Sequence, residues 1–400
     1  MVKWSKIAAS LGLATLCFLP FGSAQAEDGK VTGKELSLRE TSLQVKTLPE
    51  AMPRFVYDSG FTFEYPDAVR GIYVTGHSAG GGRFEQLTKL LDKTDLNAMV
   101  IDIKDDWGNL TYEPEASSPY ASIGQPYIKD PKQLLKKMEE KKIYPIARVV
   151  VFKDSVLSKA KPELSFKNGS QVWKNGSGES FVNPFMKEVW DYNVGIAIEA
   201  AKMGFQEIQF DYVRFPEGFE TRDKELTYNG GPYAERNSTN VEKRVQAVTD
   251  FVEYAKKKLE PYGVKVSVDI FGYTATLPEA PGIGQNFSKI SEHVDVISSM
   301  IYPSHWTSYF GIAKPDLEPY KLVKEYAKVE KAKIAKLDNK PISRPWIQDF
   351  TASWLGAGNY KVYGKAEIEA QIKGLQDEGI NEFLLWDAGN TYTEGVDYTP

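Results

Sequence analysis

The chain has 400 residues, 12% of them aromatic and 26% charged, and a formal net charge of −5. That balance argues against nucleic acid, which wants a basic face, while the length suffices for one large α/β domain with a substantial core. A single cysteine, Cys17, excludes a disulfide framework.

Lys3 and Lys6 precede a mostly apolar stretch at residues 7–22, and Ala24-Gln25-Ala26 fits the small-x-small cleavage rule. Residues 1–26 are therefore expected to be a signal peptide, with the mature protein secreted or held in the cell envelope. The apolar stretch is short for a membrane span, and no later segment is long and apolar enough, so no stable membrane insertion is expected after cleavage. Leu16 stands where lipid attachment to Cys17 would want a small residue. Loss of Lys3 and Lys6, the only charged residues of this segment, takes the net charge from −5 to −7. Residues 27–68 read as a polar arm or linker, aperiodic at first.

From residue 69 a strand-then-helix rhythm begins and continues nearly to the end, defining a domain over 69–400. Apolar runs bounded by turn signals predict strands at 70–75, 98–103, 144–152, 207–213, 265–271, 294–301, 345–350 and 382–386. Helical periodicity between them is clearest at 131–142, 184–203, 241–259, 317–337 and 365–378. Eight βα units predict a (β/α)8 TIM barrel of the α/β class, with a doubly wound open sheet as the alternative. Long segments follow the strands at 105–130, 153–183, 215–240 and 273–292, whereas the returns at Gly204 and Gly263 are tight. One elaborated face is expected, with a cleft wide enough for an oligomer. Within it, Asn168-Gly-Ser and Asn175-Gly-Ser-Gly suggest a β-hairpin at the mouth.

Strands run out repeatedly in aspartate, at Asp102, Asp211, Asp269, Asp349 and Asp387. Carboxylates are rarely buried without a partner, so converging ones point to chemistry. Glycoside hydrolysis needs two: a nucleophile or base, and an acid held protonated beside it. On this reading Asp211, near Arg214, is the nucleophile, Asp269 on the adjacent strand the general acid/base, and Asp349 a stabiliser of positive charge on the sugar ring. Further contacts to a polysaccharide or oligosaccharide are expected from Asp102, Lys104, Arg214, Tyr302, His305, Trp306, Trp386 and Asp387. Lys104 with Asp102 reads equally as a structural ion pair. Trp107, Trp173, Trp306 and Trp354 fall in or beside loops, as suits a ligand that stacks on flat rings. Asp105, Asp106 and Asn109 lack a full calcium-ligand spacing, so neither metal nor cofactor is expected.

Gly76-His-Ser-Ala-Gly80 matches the G-x-S-x-G elbow of serine esterases, following a strand and preceding a helix. It lies on the first strand, with no sheet before it and no oxyanion loop upstream, so an esterase is the lesser alternative. A glycan-binding barrel without catalysis is another.

The segments Arg70-Gly-Ile-Tyr-Val-Thr-Gly76, Ile101-Asp-Ile-Lys-Asp105, Ile208-Gln-Phe-Asp-Tyr-Val-Arg-Phe-Pro216, Met300-Ile-Tyr-Pro303 and Leu385-Trp-Asp387 resemble a family of bacterial glycoside hydrolases. That family was first catalogued as a domain of unknown function and is distantly related to the α-amylase superfamily. The resemblance implies a (β/α)8 barrel active on a polysaccharide. In that superfamily the nucleophile is an Asp on strand four, the acid a Glu on strand five, and a further Asp lies on strand seven. The resemblance thus implies these roles for Asp211, Asp269 and Asp349. Strand five here offers Asp instead of Glu, and the arginine follows Asp211 instead of preceding it by two.

Overall fold

A computed structural model describes residues 56–399. The expected signal peptide and the first part of the arm lie outside them. The strands are β1 (Arg70–Val74), β2 (Ala98–Lys104), β3 (Tyr144–Val150), β4 (Glu207–Asp211), β5 (Lys265–Phe271) and β6 (Val296–Met300). After them come β7, in two pieces (Ile342–Ser343 and Trp346–Gln348), and β8 (Phe383–Trp386). All pair in parallel and in chain order from β1 to β8. Arg70 to Ile72 pair with Phe383 to Leu385, which closes the ring into the expected (β/α)8 barrel. β7 begins earlier than predicted and is broken at Arg344-Pro345, where proline removes a ladder donor.

Side chains alternate strictly between the two faces of each strand. Ile72, Met99, Ile101, Ala147, Val149, Ile208, Phe210, Val268, Ile297, Ile347 and Leu385 belong to the buried layer between the barrel and its helices. Tyr73, Ala98, Val100, Ile146, Trp346 and Leu384 form a separate cluster inside the barrel, with Met300 and Trp386 packed on it. Continuous burial on both faces makes β2 and β3 read as apolar runs interrupted only by Asp102, Lys104 and Arg148.

Local signals set the helices. Asp130 caps Pro131–Glu140 by accepting from the Gln133 N–H at 2.9 Å, with proline at the first position. Thr239 and Glu242 form a capping box at Asn240–Leu259. Lys187–Met203 stops at Gly204, whose φ of 120° an L side chain rarely adopts. Connections entering the strands are short, and those leaving them are long, as expected for an elaborated C-terminal face. The mouth hairpin is present as Lys167–Asn168 paired with Gln171–Val172.

The described part of the arm packs across the opposite end. The Tyr57 N–H donates to the Pro261 carbonyl at 2.8 Å. The Tyr65 hydroxyl lies 2.9 Å from Glu382 and accepts from Arg344 at 2.8 Å. Arg344, fully buried, also holds Glu207 and Glu382 at 2.8 Å each. A buried cation between two carboxylates and a hydroxyl satisfies charges that would be costly alone. Among the described residues no helix is long and apolar enough to cross a membrane.

Candidate active site

At the C-terminal ends of the strands a cleft of about 1030 Å³ opens. Position along each strand decides who reaches it. Gln209 and Asp211 share the inward face of β4, Ser267 and Asp269 that of β5, and Val100 and Asp102 that of β2. Arg148 points inward from β3 and organises the floor. Its guanidinium donates to Asp211 Oδ2 at 2.7 and 3.0 Å and to Asp102 Oδ1 at 2.7 Å, with Asp106 at 3.4 Å. Asp102 also accepts from the Tyr73 hydroxyl at 2.5 Å. Burial pushes Asp102 up to about 6 against the pull of Arg148. Burial acts on Asp106 in the same direction, but Arg148 and Lys153 hold it down to about 2. Lys153 bridges Asp106 at 2.7 Å and Glu179 at 3.2 Å.

The backbone after Asp211 is unusual. Tyr212 has a φ of 52°, a left-handed value for a bulky residue. This turn aims the Tyr212 N–H at Asp211 Oδ1, 2.6 Å away. Lys153 sits 3.9 Å and Arg214 4.7 Å from the centre of the Tyr212 ring, and these contacts help hold the strained residue. Asp211 thus accepts three N–H donors while remaining on the cleft floor.

Asp269 is 1% exposed and accepts from the Trp346 indole at 2.8 Å through Oδ1. Burial, reinforced by the charge of nearby Asp211, pushes its carboxyl well above the usual carboxylate range. Two carboxyl groups therefore share the floor, Asp211 clamped by an arginine and Asp269 driven by burial to hold a proton. Tyr302 sits among them, its hydroxyl pushed up by burial and then by Asp269 and Asp211. Trp386 stacks on Tyr73 at 4.2 Å and meets Trp346 edge-on at 5.5 Å, making an aromatic wall.

Of the sequence-predicted residues, Asp211, Asp269, Arg214, Tyr302, His305, Trp306 and Trp386 all line the cleft. The others do not. Asp102 lies beneath it, supporting Arg148. Lys104 makes its ion pair with Asp154 at 2.6 Å, not with Asp102, and bonds the Val150 carbonyl at 2.7 Å and Asn193 at 3.0 Å. The cause is a register shift between Asp102 and Lys104, which turns Lys104 outward although it stands two residues on. Asp349 has the opposite parity to inward Trp346. It turns to Thr393, accepting from the hydroxyl at 2.7 Å and the backbone N–H at 3.1 Å. Asp387 likewise alternates with Trp386 and accepts from the Thr391 N–H at 2.9 Å.

Sequence reasoning missed Arg148, Lys153, Glu179, Glu217 and Glu220, all of which line the cleft. An arginine within an otherwise apolar barrel strand was the signal for the first. Glu179 and Glu217 sit on loops and Glu220 in the short helix Phe219–Arg222, where sequence carries no such mark. The Asp105 Oδ1 accepts backbone N–H groups of Trp107, Gly108 and Asn109, each at 2.9 Å, so it closes its own loop. Among the described residues no group of three His, Cys, Asp or Glu side chains could hold a metal ion. Ser78 lies in the one-turn helix Gly76–Gly80, and the serine hydroxyl near an imidazole is that of Ser304, 3.0 Å from His305 Nδ1.

The barrel matches solved structures. The PgaB (BpsB) glycoside hydrolase domain from Bordetella bronchiseptica superimposes with a TM-score of 0.57 at 14% identity, covering 81% of this chain and 95% of that one. A hypothetical protein from Ruminiclostridium thermocellum is 32% identical over 50% of this chain and 96% of its own, with a TM-score of 0.42. An α-amylase from Lactobacillus plantarum gives 0.47 at 14% identity, covering 81% of this chain and 71% of that one. No curated protein matches. The Bordetella likeness supports the fold. Family membership rests on a match over residues 71–392 to the family described as "Putative glycosyl hydrolase domain", and the chain belongs to that family.

Proposed function

We propose that this protein hydrolyses glycosidic bonds of a polysaccharide, with Asp211 as nucleophile and Asp269 as general acid/base. The observation that carries the reading is the pairing of Asp211, clamped by Arg148, with Asp269, buried on the adjacent strand, on the floor of one aromatic-walled cleft. Family membership supplies the reaction class. An Asp211 oxygen attacks the anomeric carbon as Asp269 gives its proton to the departing glycosidic oxygen. Asp269 Oδ1 is held by Trp346, which leaves Oδ2 to carry that proton. Water then releases the sugar, its proton returning to Asp269. Arg148 fixes the attacking carboxylate, and Arg214, Tyr302, His305, Trp306 and Trp386 contact the sugar rings. Residues 1–26 would direct export, with residues 27–68 as an arm and 69–400 as the catalytic domain, so that the substrate is met outside the cytoplasm.

A screen of the purified protein against bacterial and plant polysaccharides, read by reducing-end release, tests this directly. Asp211→Asn should lower turnover by on the order of 10³-fold or more while leaving folding and glycan binding nearly intact. Undiminished release by that variant would sink the mechanism.

A further inference from the structure

His305 lines the cleft, and two further aromatic rings that do not line it lie against His305. The Phe350 ring centre lies 6.2 Å from that of His305, and the Trp354 ring centre lies 6.4 Å from it. Trp354 stacks on Phe350 at 5.8 Å with 20° between the planes, and it is 65% exposed. Tryptophan contributes most when buried, so an exposed indole supported from beneath by a second ring is held out at the expense of packing. Trp107 is also exposed on this face, but it makes no ring pair among the described residues.

The loop carrying Trp354 is braced. The Asn359 side chain donates to the Leu355 carbonyl at 3.0 Å, and Lys314 donates to the Gly358 carbonyl at 2.8 Å. Asp316 accepts from the Lys361 N–H at 3.0 Å, and Thr351 accepts from the Tyr363 N–H at 3.0 Å. A flat ring fixed in place suits a ligand with one flat apolar face. A pyranose offers that through its axial C–H groups while its hydroxyls stay in water. One indole is far smaller than the roughly 800 Å² per partner that a stable protein interface buries.

We propose that Trp354, supported by Phe350, is a sugar-binding platform outside the cleft, taking a ring of the same glycan chain whose scissile bond lies over Asp211. This inference deepens the glycosidase reading and rests on it. Occupying the cleft and the platform together requires a chain running past His305. The substrate is therefore a polymer gripped beyond the cleaved unit, and internal cleavage is favoured over trimming from the end.

Native electrophoresis of the full chain tests this in gels cast with hydroxyethylcellulose, glycol chitosan, xylan or laminarin. Wild type and Asp211→Asn should be retarded alike in at least one gel. Trp354→Ala should bind that polymer about fivefold more weakly, and Trp354→Phe should retain most of the retardation. Thermal unfolding of Trp354→Ala should match wild type, as suits an exposed side chain. Retardation of Trp354→Ala equal to wild type would overturn the platform, as would free migration of wild type in every gel. Reducing-end release is scored separately on the same polymers. Retardation through Trp354 without release would defeat the catalytic reading and leave the platform standing; release indifferent to Trp354 would do the reverse.

Discussion

Asp349→Asn should stabilise the protein at neutral pH, although aspartate at a strand end reads like a residue under functional selection. Asp349 is 4% exposed, and burial pushes its carboxyl from the ordinary 3.8 up to about 6. A carboxyl whose folded pKa lies above its unfolded value binds protons more tightly in the folded state. Its ionisation therefore costs stability as pH rises from the unfolded value through the folded one. Below pH 3.8 both states are protonated and the penalty vanishes. Integrating over the shift gives about 1 kcal/mol at about pH 4.5 and about 3 kcal/mol at about pH 7.5. Asparagine has the same shape and no charge. Its carbonyl can accept from the Thr393 N–H, and its amide can donate to the Thr393 hydroxyl, which turns to suit. Guanidinium denaturation of wild type and variant at the two pH values measures the gap. The variant should gain more at the higher pH, by about 2 kcal/mol. A gap independent of pH, or a variant less stable than wild type at neutral pH, would refute the reasoning.

Arg148→Met should destabilise by about 3–5 kcal/mol, because Asp102 and Asp211 lose their buried counter-ion. Asp102→Asn in the same chain should recover part of that loss, and a double-mutant cycle in denaturant would show no coupling if the clamp is unimportant. Tyr65→Phe should cost about 1–3 kcal/mol by leaving an Arg344 donor unmet, and unchanged stability would show that water takes its place. Ser78→Ala should leave polysaccharide cleavage unaltered, whereas lost activity with sensitivity to serine-directed phosphonates would revive the esterase alternative.

The barrel was legible because strands buried on both faces announce themselves as apolar runs, and because helices between them keep their 3.6 period. On the strands, cleft-lining residues were legible where side-chain parity turned them inward. Asp211 and Asp349 look alike as sequence, each an acid where an apolar run stops. Counting in twos from the residues that fill the interior separates them: Glu207 and Gln209 lead to Asp211, while Arg344 and Trp346 lead past Asp349. The same count would have removed Asp387. It would have failed at Lys104, because a bulge breaks the alternation and leaves no trace in residue type. Arg148 did carry a mark, a lone charge among Ile146, Ala147, Val149 and Val150, which the apolar run around it overshadowed. Glu179 and Glu217 on loops, and Glu220 in the short helix Phe219–Arg222, reach the cleft along paths set by tertiary contacts.

The arm that seals the barrel floor also fixes a direction. Tyr57 and Tyr65 tie the described start of the chain to the end of the barrel where strands begin, while Asp211 and Asp269 open at the other end. The described chain therefore enters at the back of the barrel, which leaves the whole mouth clear for a ligand.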